Sequence, residues 1–198
     1  NFLDRECPIV NKTDDSEKYF LYFGRLSREK GIMTLIKAFE KYMENAGESE
    51  LNIVGSGPCK EEIAEYISSR NLNKVHLLGF KSGQGLIDIV GNAKAVILPS
   101  EWYENGPYSA IEALQLGRPI IGSDLGGIPE LINQNGFIFN HGDVDGLAEV
   151  LVSFPDKDTQ AFKKMSAASH KIFEERYTAV SHYPTLEKIY EKVINLHR

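Results

Sequence analysis

The chain is 198 residues long, with 42% hydrophobic and 25% charged residues and a formal net charge of −6 at pH 7. This length and composition predict one large globular domain with a well-filled core. The acidic balance argues against nucleic acid as the main partner, because a nucleic-acid-binding protein usually carries a basic surface.

Cysteine usage and hydropathy narrow the class of protein further. Cys7 and Cys59 are the two cysteines of the sequence, and neither belongs to a CxxC or Cys/His cluster. This argues against a disulfide framework and a zinc site, and it favours a reducing cytoplasm. No apolar run is long enough to span a bilayer, and no signal peptide is visible. Because the sequence begins at Asn1 rather than Met, we expect a fragment of a longer protein.

The chain divides into a tail, an alternating region and a helical end. Residues 1–17 are polar and aperiodic, include Asp14 and Asp15, and are interpreted as a linker or tail. Within residues 18–155, apolar runs predict strands at residues 19–23, 51–54, 75–78, 95–98, 119–122 and 137–139. The patterns between them predict helices at residues 32–43, 61–69, 85–90, 108–116, 128–132 and 145–152. Residues 156–198 are predicted to be helical, with a break near Tyr177 and Thr178.

The order of these elements predicts the fold class. Repeated strand–helix units with short loops indicate an α/β protein with a mostly parallel sheet of about six strands and helices on both faces. Right-handed crossovers then favour a doubly wound, Rossmann-like sheet. Such open sheets bind ligands beyond the carboxyl ends of their strands, so we expect the site in the loops that follow the strands.

The first such loop carries two cations. Gly24 and Arg25 lie just past the first predicted strand, and Lys30 lies at the start of the following helix. Two cations beside a helix N-terminus, where backbone N–H groups are free, suit a diphosphate. The alternative is a glycine turn with two solvated cations, since short motifs often match by chance.

The second loop is rich in glycine. Gly55 and Gly57 follow the second predicted strand and open a helix, but Lys60 stands where a dinucleotide fingerprint needs its third glycine. No acidic residue ends the next strand, where Leu78 and Gly79 lie, so a nicotinamide or flavin enzyme is disfavoured. The two glycines either contact a ligand or only permit a tight turn.

Two glutamates eight residues apart, Glu104 and Glu112, follow the apolar run 95–98. The pattern places Glu104 in a loop and Glu112 inside the next helix. An ionised carboxylate only accepts hydrogen bonds, so it suits the vicinal hydroxyls of a sugar or ribose. Pro107 is predicted near the first helical position, with Asn105 or Gly106 as the cap. The alternative is that both glutamates are solvated surface acids.

These motifs together resemble the C-terminal, donor-binding domain of family 4 retaining glycosyltransferases of the GT-B fold, the glycosyl transferases group 1. The family signature is two glutamates separated by seven residues in a strand–loop–helix context, as at Glu104 and Glu112. The stretch from Gly24 to Gly31 and the segment 122–132 match the family as well. The resemblance covers residues 19–152 and continues more weakly to residue 196.

The resemblance implies a retaining, metal-independent transfer of a sugar from a UDP-, GDP- or ADP-sugar to an acceptor hydroxyl, without a cofactor. Arg25 and Lys30 would stabilise the leaving diphosphate, Glu104 would contact the donor sugar, and these three are the catalytic candidates. Glu112 would hold the ribose. The donor-binding candidates are Gly24, Gly55, Gly57, Phe80, Asn105, Gly106, Pro107, Tyr108 and Glu112.

Two other patterns are interpreted as structural. Asp143 and Asp145 look like the Asp-x-Asp of metal-dependent glycosyltransferases, but one of them suits an ordinary helix N-cap, so no metal is predicted. The histidines are scattered outside any nucleophile motif, at His76, His141, His170, His182 and His197.

The resemblance also bears on what lies outside this chain. It implies an N-terminal domain that binds most of the acceptor, whether glycan, lipid or small molecule, and a final helix that returns to that domain. We therefore expect this chain alone to be inactive. The expected location is the cytoplasm, with peripheral association of the full enzyme at the inner face of the membrane as an alternative. Two rival functions are a non-catalytic nucleotide-sugar-binding module and a flavodoxin-like interaction domain.

Overall fold

The computed structural model describes residues 1–3, 8–11 and 19–196. Cys7, Asp14, Asp15 and His197, which the sequence analysis considered, lie outside the described residues. Cys59 is buried and carries a free thiol.

The described residues form a six-stranded sheet in the order β3-β2-β1-β4-β5-β6, and every neighbouring pair is parallel. The strands are β1 (Tyr19–Phe23), β2 (Glu50–Val54), β3 (Val75–Gly79), β4 (Ala95–Leu98), β5 (Ile120–Ser123) and β6 (Gly136–Phe139). The predicted α/β, Rossmann-like class is confirmed. Each strand lies within one residue of its predicted bounds, because a strand buried on both faces reads as a short, uninterrupted apolar run.

Seven helices accompany the strands in the described part of the chain. They are α1 (Ile32–Glu44), α2 (Lys60–Ser69), α3 (Gly83–Asn92), α4 (Tyr108–Gln115), α5 (Val144–Ser153), α6 (Gln160–Arg176) and α7 (Ala179–Leu196). The predicted helix at residues 128–132 is wrong: only a 3₁₀ turn, Pro129–Leu131, forms there. Ile132 already has extended backbone angles, and so short a stretch cannot repay the cost of starting an α-helix.

Alternate residues of β1 show why both faces of the sheet need helices. Phe20 and Tyr22 pack with apolar residues of α1, α2 and α5. Leu21 and Phe23 pack with residues of α3, α4 and α6 on the opposite face. Since successive side chains of a strand point to opposite faces, the wholly buried β1 must be covered twice.

The strand order reverses direction between β1 and β4, which are neighbours in the sheet. The chain leaves β1 towards β2 on one side and leaves β4 towards β5 on the other. The connections that follow β1 and β4 therefore lead to opposite sides of the sheet, and such a switch point is where a ligand crevice usually opens at the carboxyl edge.

The chain ends pack against this body to different degrees. In the predicted tail, the Asn11 backbone N–H donates to Asp88 of α3 at 2.9 Å, and the Asn92 side chain donates to the Asn11 carbonyl. The predicted break between the last two helices lies at Tyr177 and Thr178. Large apolar side chains of α7 are exposed, at Val180, Tyr183, Ile189, Tyr190, Val193 and Ile194. Within the described residues, no helix is long and apolar enough to cross a membrane.

Candidate active site

Glycines hold the loops after β1 and β2 together. The Gly24 N–H donates to the Val54 carbonyl at 3.0 Å, and the Leu26 N–H donates to the Ser56 carbonyl at 2.9 Å. A Cβ on Gly55 would overlap the carbonyl of Gly24, and one on Gly57 would overlap that of Leu26. Gly55 and Gly57 therefore have a packing role, because they allow the loop after β2 to contact the residues on both sides of Arg25.

A second pair of loops meets above β1 and β4. Arg28–Lys30 forms a 3₁₀ turn, and Gly31 precedes α1 with a φ of +64°. Lys30 thus lies in this turn rather than in the predicted helix. The Glu101 N–H donates to the Glu29 carbonyl at 2.9 Å, so the loop after β4 rests on the turn after β1.

The carboxylate of Glu104 lies where these loops converge. Lys30 Nζ forms an ion pair with Glu104 Oε1, and Ser100 Oγ donates to the same oxygen at 2.9 Å. The Glu104 side chain is 14% exposed and that of Lys30 is 30% exposed. The Gly127 N–H donates to the Glu104 carbonyl at 2.6 Å. Backbone and side chain of Glu104 are thereby held from three loops.

The N-terminus of α4 faces the same space. Pro107 occupies the N-cap position and makes no side-chain cap, so the prediction of Asn105 or Gly106 as cap is wrong. Pro107 has extended backbone angles there, and its carbonyl accepts from the N–H groups of Ala110 and Ile111. The first two helical residues, Tyr108 and Ser109, have N–H groups without an intrahelical acceptor.

These parts enclose the switch-point cleft, a space of about 390 Å³ between the loops after β1 and β4. The predicted residues that line it are Gly24, Arg25, Lys30, Glu104, Pro107, Tyr108 and Glu112. An adjoining glycine-loop pocket of about 520 Å³ shares Gly24 and Arg25 and adds Gly55, Gly57 and Phe80. Asn105 and Gly106 instead line a separate concavity with Gly126 and Tyr177.

Tyr22, in β1, holds the loop after β1 through a hydrogen bond to its backbone. Its hydroxyl donates to the Arg25 carbonyl at 2.6 Å, and its ring lines the switch-point cleft. Burial raises the pKa of the Tyr22 phenol, and the charge of Glu104 raises it further. Tyr22 therefore stays neutral at physiological pH and acts as a hydrogen-bond donor beside Arg25.

Sequence reasoning did not single out Tyr22 or Ser100. Tyr22 reads as one more apolar strand residue. Ser100 directly follows Pro99 at the end of β4, and this position at the carboxyl edge was the available signal. Gly126, in the segment 122–132, has a φ of +59°, and a Cβ there would lie 2.5 Å from the Glu104 nitrogen.

The acidic residues at the start of α5 have structural partners. Asp143 is the N-cap of α5 and accepts from the Gly146 N–H at 2.9 Å, while Asp145 pairs with Lys41. Nearby, the backbone N–H and ring of His141 hold the pKa of Asp124 below its usual range. Among the described residues, no three His, Cys, Asp or Glu side chains converge as a metal site would need.

Comparison with known proteins places this geometry in a family. The family model described as "Glycosyl transferases group 1" matches residues 5–171. The chain is 36% identical over 119 residues to an uncharacterized glycosyltransferase of Methanocaldococcus jannaschii, covering 60% of this chain and 30% of that protein. It is 28% identical over 162 residues to the 2-deoxystreptamine N-acetyl-D-glucosaminyltransferase of Niallia circulans, covering 79% of this chain and 41% of that protein.

Solved structures show the same fold. The crystal structure of Anabaena HepE in complex with UDP superposes with a TM-score of 0.78 at 22% identity, covering 90% of this chain and 50% of that one. The chain spans less than half the length of the two curated relatives named above. From the extent of the family match, the chain belongs to the glycosyl transferases group 1.

Proposed function

We propose that this chain is the C-terminal, donor-binding domain of a family 4 retaining glycosyltransferase, which transfers a sugar from a nucleotide diphosphate to an acceptor hydroxyl without a metal ion. The observation that carries the proposal is the switch-point cleft. It brings two cations, a helix N-terminus and the carboxylates Glu104 and Glu112 together from separate loops of the sheet.

The cationic side of the cleft suits a diphosphate. Arg25 is exposed on the first loop, and Lys30 reaches the cleft from the 3₁₀ turn. The free N–H groups of Tyr108 and Ser109 add a partial positive charge at the start of α4. These groups would stabilise the negative charge that develops on the leaving diphosphate, in a geometry that exists before the donor binds.

The carboxylates suit the hydroxyl-bearing parts of a donor. Glu104 lies beside Lys30, at the end of the cleft where a sugar attached to the diphosphate would sit. Glu112 lies about one turn after the first residue of α4 and lines the same cleft, which suits its carboxylate to the ribose hydroxyls. Arg25 joins this cleft to the glycine-loop pocket, where the 73% exposed ring of Phe80 offers a surface for the base.

Relatives support the substrate class. HepE has been crystallised with UDP and with UDP-glucose. The Niallia circulans relative is an N-acetyl-D-glucosaminyltransferase by name. We propose a UDP-, GDP- or ADP-sugar as donor and no further cofactor.

The rest of the enzyme belongs to the proposal as well. An N-terminal domain would bind most of the acceptor, be it glycan, lipid or small molecule, and this chain alone would be inactive. The exposed apolar side chains of α7 support a helix that returns to such a domain. We propose a cytoplasmic enzyme, with peripheral association at the inner face of the membrane as the alternative.

Calorimetric titration with UDP, GDP and ADP in the presence of EDTA tests the proposal. We expect one of them to bind, and Arg25→Ala to weaken it about 10- to 100-fold, because a hydrogen bond to a charged group contributes about 1.5–3 kcal/mol. Arg28→Ala is the matched control, since Arg28 lies three residues after Arg25 in the same connection between β1 and α1 but pairs with Glu62 at 3.7 Å.

Three outcomes would contradict parts of the proposal. Failure of all three nucleotides to bind would favour an interaction domain. Binding that requires a divalent cation would contradict the proposal that the enzyme works without a metal ion. Binding without sugar transfer by the full-length polypeptide would favour a non-catalytic module. Nuclear magnetic resonance of the product, which reports whether the anomeric configuration is kept, tests retention.

A further inference from the structure

Two donors converge on one oxygen of Glu104. Lys30 Nζ and Ser100 Oγ both contact Oε1, and the Ser100 bond measures 2.9 Å. Among the described residues, the other oxygen, Oε2, has no hydrogen-bond donor. A carboxylate held through one oxygen presents the second to an incoming hydroxyl group.

Ser100 is itself fixed from the next strand. Ser123, the last residue of β5, is fully buried, and its hydroxyl donates to the Ser100 carbonyl at 2.7 Å. Ser100 is also buried. Buried hydroxyl groups keep their partners, because an unpaired one would lose its hydrogen bond to water without replacement. Two hydrogen bonds therefore link Ser123, in the core of the sheet, through Ser100 to the Glu104 carboxylate in the cleft.

The two donors on Oε1 differ in what a bound diphosphate would do to them. Lys30 carries a positive charge and three donor hydrogens, so the phosphate oxygens would compete with Glu104 for its ammonium group. The Ser100 hydroxyl is neutral, and Ser100 is only 5% exposed, whereas the Lys30 side chain is 30% exposed. Its bond to Glu104 does not depend on where Lys30 points.

We propose that Ser100, supported by Ser123, is a positioning residue that keeps Glu104 at the sugar end of the cleft when Lys30 engages the diphosphate. Recognition of the sugar then depends on Ser100, whereas recognition of the diphosphate does not. This inference rests on the proposed donor-binding function and assigns to Ser100 a part in sugar recognition.

Binding titrations separate the two effects. For the base that the protein binds, the nucleoside diphosphate is compared with its glucose, galactose and N-acetylglucosamine derivatives, and the tightest derivative is used as the probe. We expect Ser100→Ala to weaken the sugar nucleotide about tenfold, the value of one hydrogen bond to a charged group, and the nucleoside diphosphate less than about twofold. Ser100→Thr, which keeps the hydroxyl, should restore most of the affinity.

Two further variants control for folding. Ser123→Ala should also weaken the sugar nucleotide relative to the nucleoside diphosphate, by about threefold. The effect is smaller because this variant removes only the support of Ser100. Ser169→Ala is the matched control, because the Ser169 hydroxyl is also fully buried and donates to a carbonyl, that of Arg118, at 2.8 Å. Arg118 lies just before β5, at the edge of the sheet opposite the cleft. Ser169→Ala should leave the ratio of the two affinities unchanged, and thermal unfolding confirms that each variant is folded.

The outcomes distinguish this inference from the function on which it rests. If wild-type protein binds none of the nucleotides, the proposed function fails and the role of Ser100 fails with it. If wild-type protein binds but Ser100→Ala and Ser123→Ala weaken both probes equally, or neither, only the positioning role is overturned.

Discussion

Gly31 joins the loops that form the cleft. Its φ is +64°, and a Cβ there would overlap the carbonyl of Pro99, at the end of β4. This close approach brings Lys30, the preceding residue, towards Glu104. No side chain is compatible with both the backbone angle and the contact, so the position requires glycine.

We predict that Gly31→Ala lowers the free energy of unfolding by about 2–4 kcal/mol, the sum of a left-handed backbone penalty and a displaced contact. Urea denaturation measures the loss. Gly142→Ala is the control, because Gly142 has a similar φ of +72° but a Cβ added there would meet nothing within 4 Å. It should cost only about 1–2 kcal/mol. Equal losses in the two variants would contradict the steric argument.

Tyr22 makes a prediction about pH. The pKa of its phenol is raised above its ordinary value by burial, then by the charges of Glu104 and Glu29. The unfolded chain therefore loses this proton first as pH rises, so stability is fully present below about pH 10 and falls above it. Each pH unit beyond that point should cost up to about 1.4 kcal/mol through Tyr22.

Denaturation of wild type and Tyr22→Phe between about pH 8 and 11 measures this slope. The variant should lose less stability over the alkaline range, although its stability near pH 8 is lower because the bond to the Arg25 carbonyl is gone. Tyr66 and Tyr177, whose pKa values are also raised, contribute equally to both proteins. Parallel curves would exclude the role of Tyr22.

At the scale of the element, the start of α5 shows how a local rule decides between two interpretations of one motif. Asp143 caps the helix through the Gly146 N–H, and Asp145 faces Lys41 of α1. An N-cap satisfies a donor that the helix cannot, and this accounts for an acid at the first position of the Asp-x-Asp pattern.

We predict that Asp143→Ala lowers the free energy of unfolding by about 1 kcal/mol and leaves nucleotide affinity in EDTA unchanged. Asp143→Asn, which keeps a capping oxygen, should retain most of the stability. The two variants are compared by thermal denaturation and by calorimetry. Loss of nucleotide affinity in Asp143→Ala at unchanged stability would instead support a ligand-binding role for this carboxylate.

At the scale of the whole molecule, one edge of the sheet carries the candidate site and the opposite edge carries contacts that stabilise the fold. The cleft lies at the carboxyl edge, while Lys94, which precedes β4, lies at the opposite edge. Its buried ammonium group contacts Asp156 at 2.9 Å and lies 5.1 Å from the ring centroid of Phe20. Lys94 thus attaches the segment between α5 and α6 to the sheet.

We predict that Lys94→Ala lowers the free energy of unfolding by about 2–4 kcal/mol, because it removes a buried charge contact and leaves a cavity. Asp156→Ala should cost less, since the Asp156 side chain is 49% exposed and water can replace it in part. Neither variant should change the nucleotide affinity of the folded protein. A matching loss of affinity would mean that the two edges are coupled.

Much of this organisation follows from the sequence alone. The β1 run from Tyr19 to Phe23 is apolar throughout, and a run of this kind can be satisfied only by burial on both faces. The alternation of such runs with amphipathic patterns determined the parallel sheet and placed Arg25, Lys30, Glu104 and Glu112 in loops or helices at one edge. These features depend on the composition and order of the segments, which the sequence contains, and on general rules of chain connection that apply to any such order.

Only the tertiary structure decided which of these residues share a space. Asn105 and Gly106 are adjacent to Glu104 in the chain but line another concavity, because Gly126 and Gly127 pack against that side of the loop. Ser100 and Ser123, 23 residues apart, meet because β4 and β5 are paired. Such contacts depend on strand order and close approach between distant segments, and no local pattern in the sequence records them.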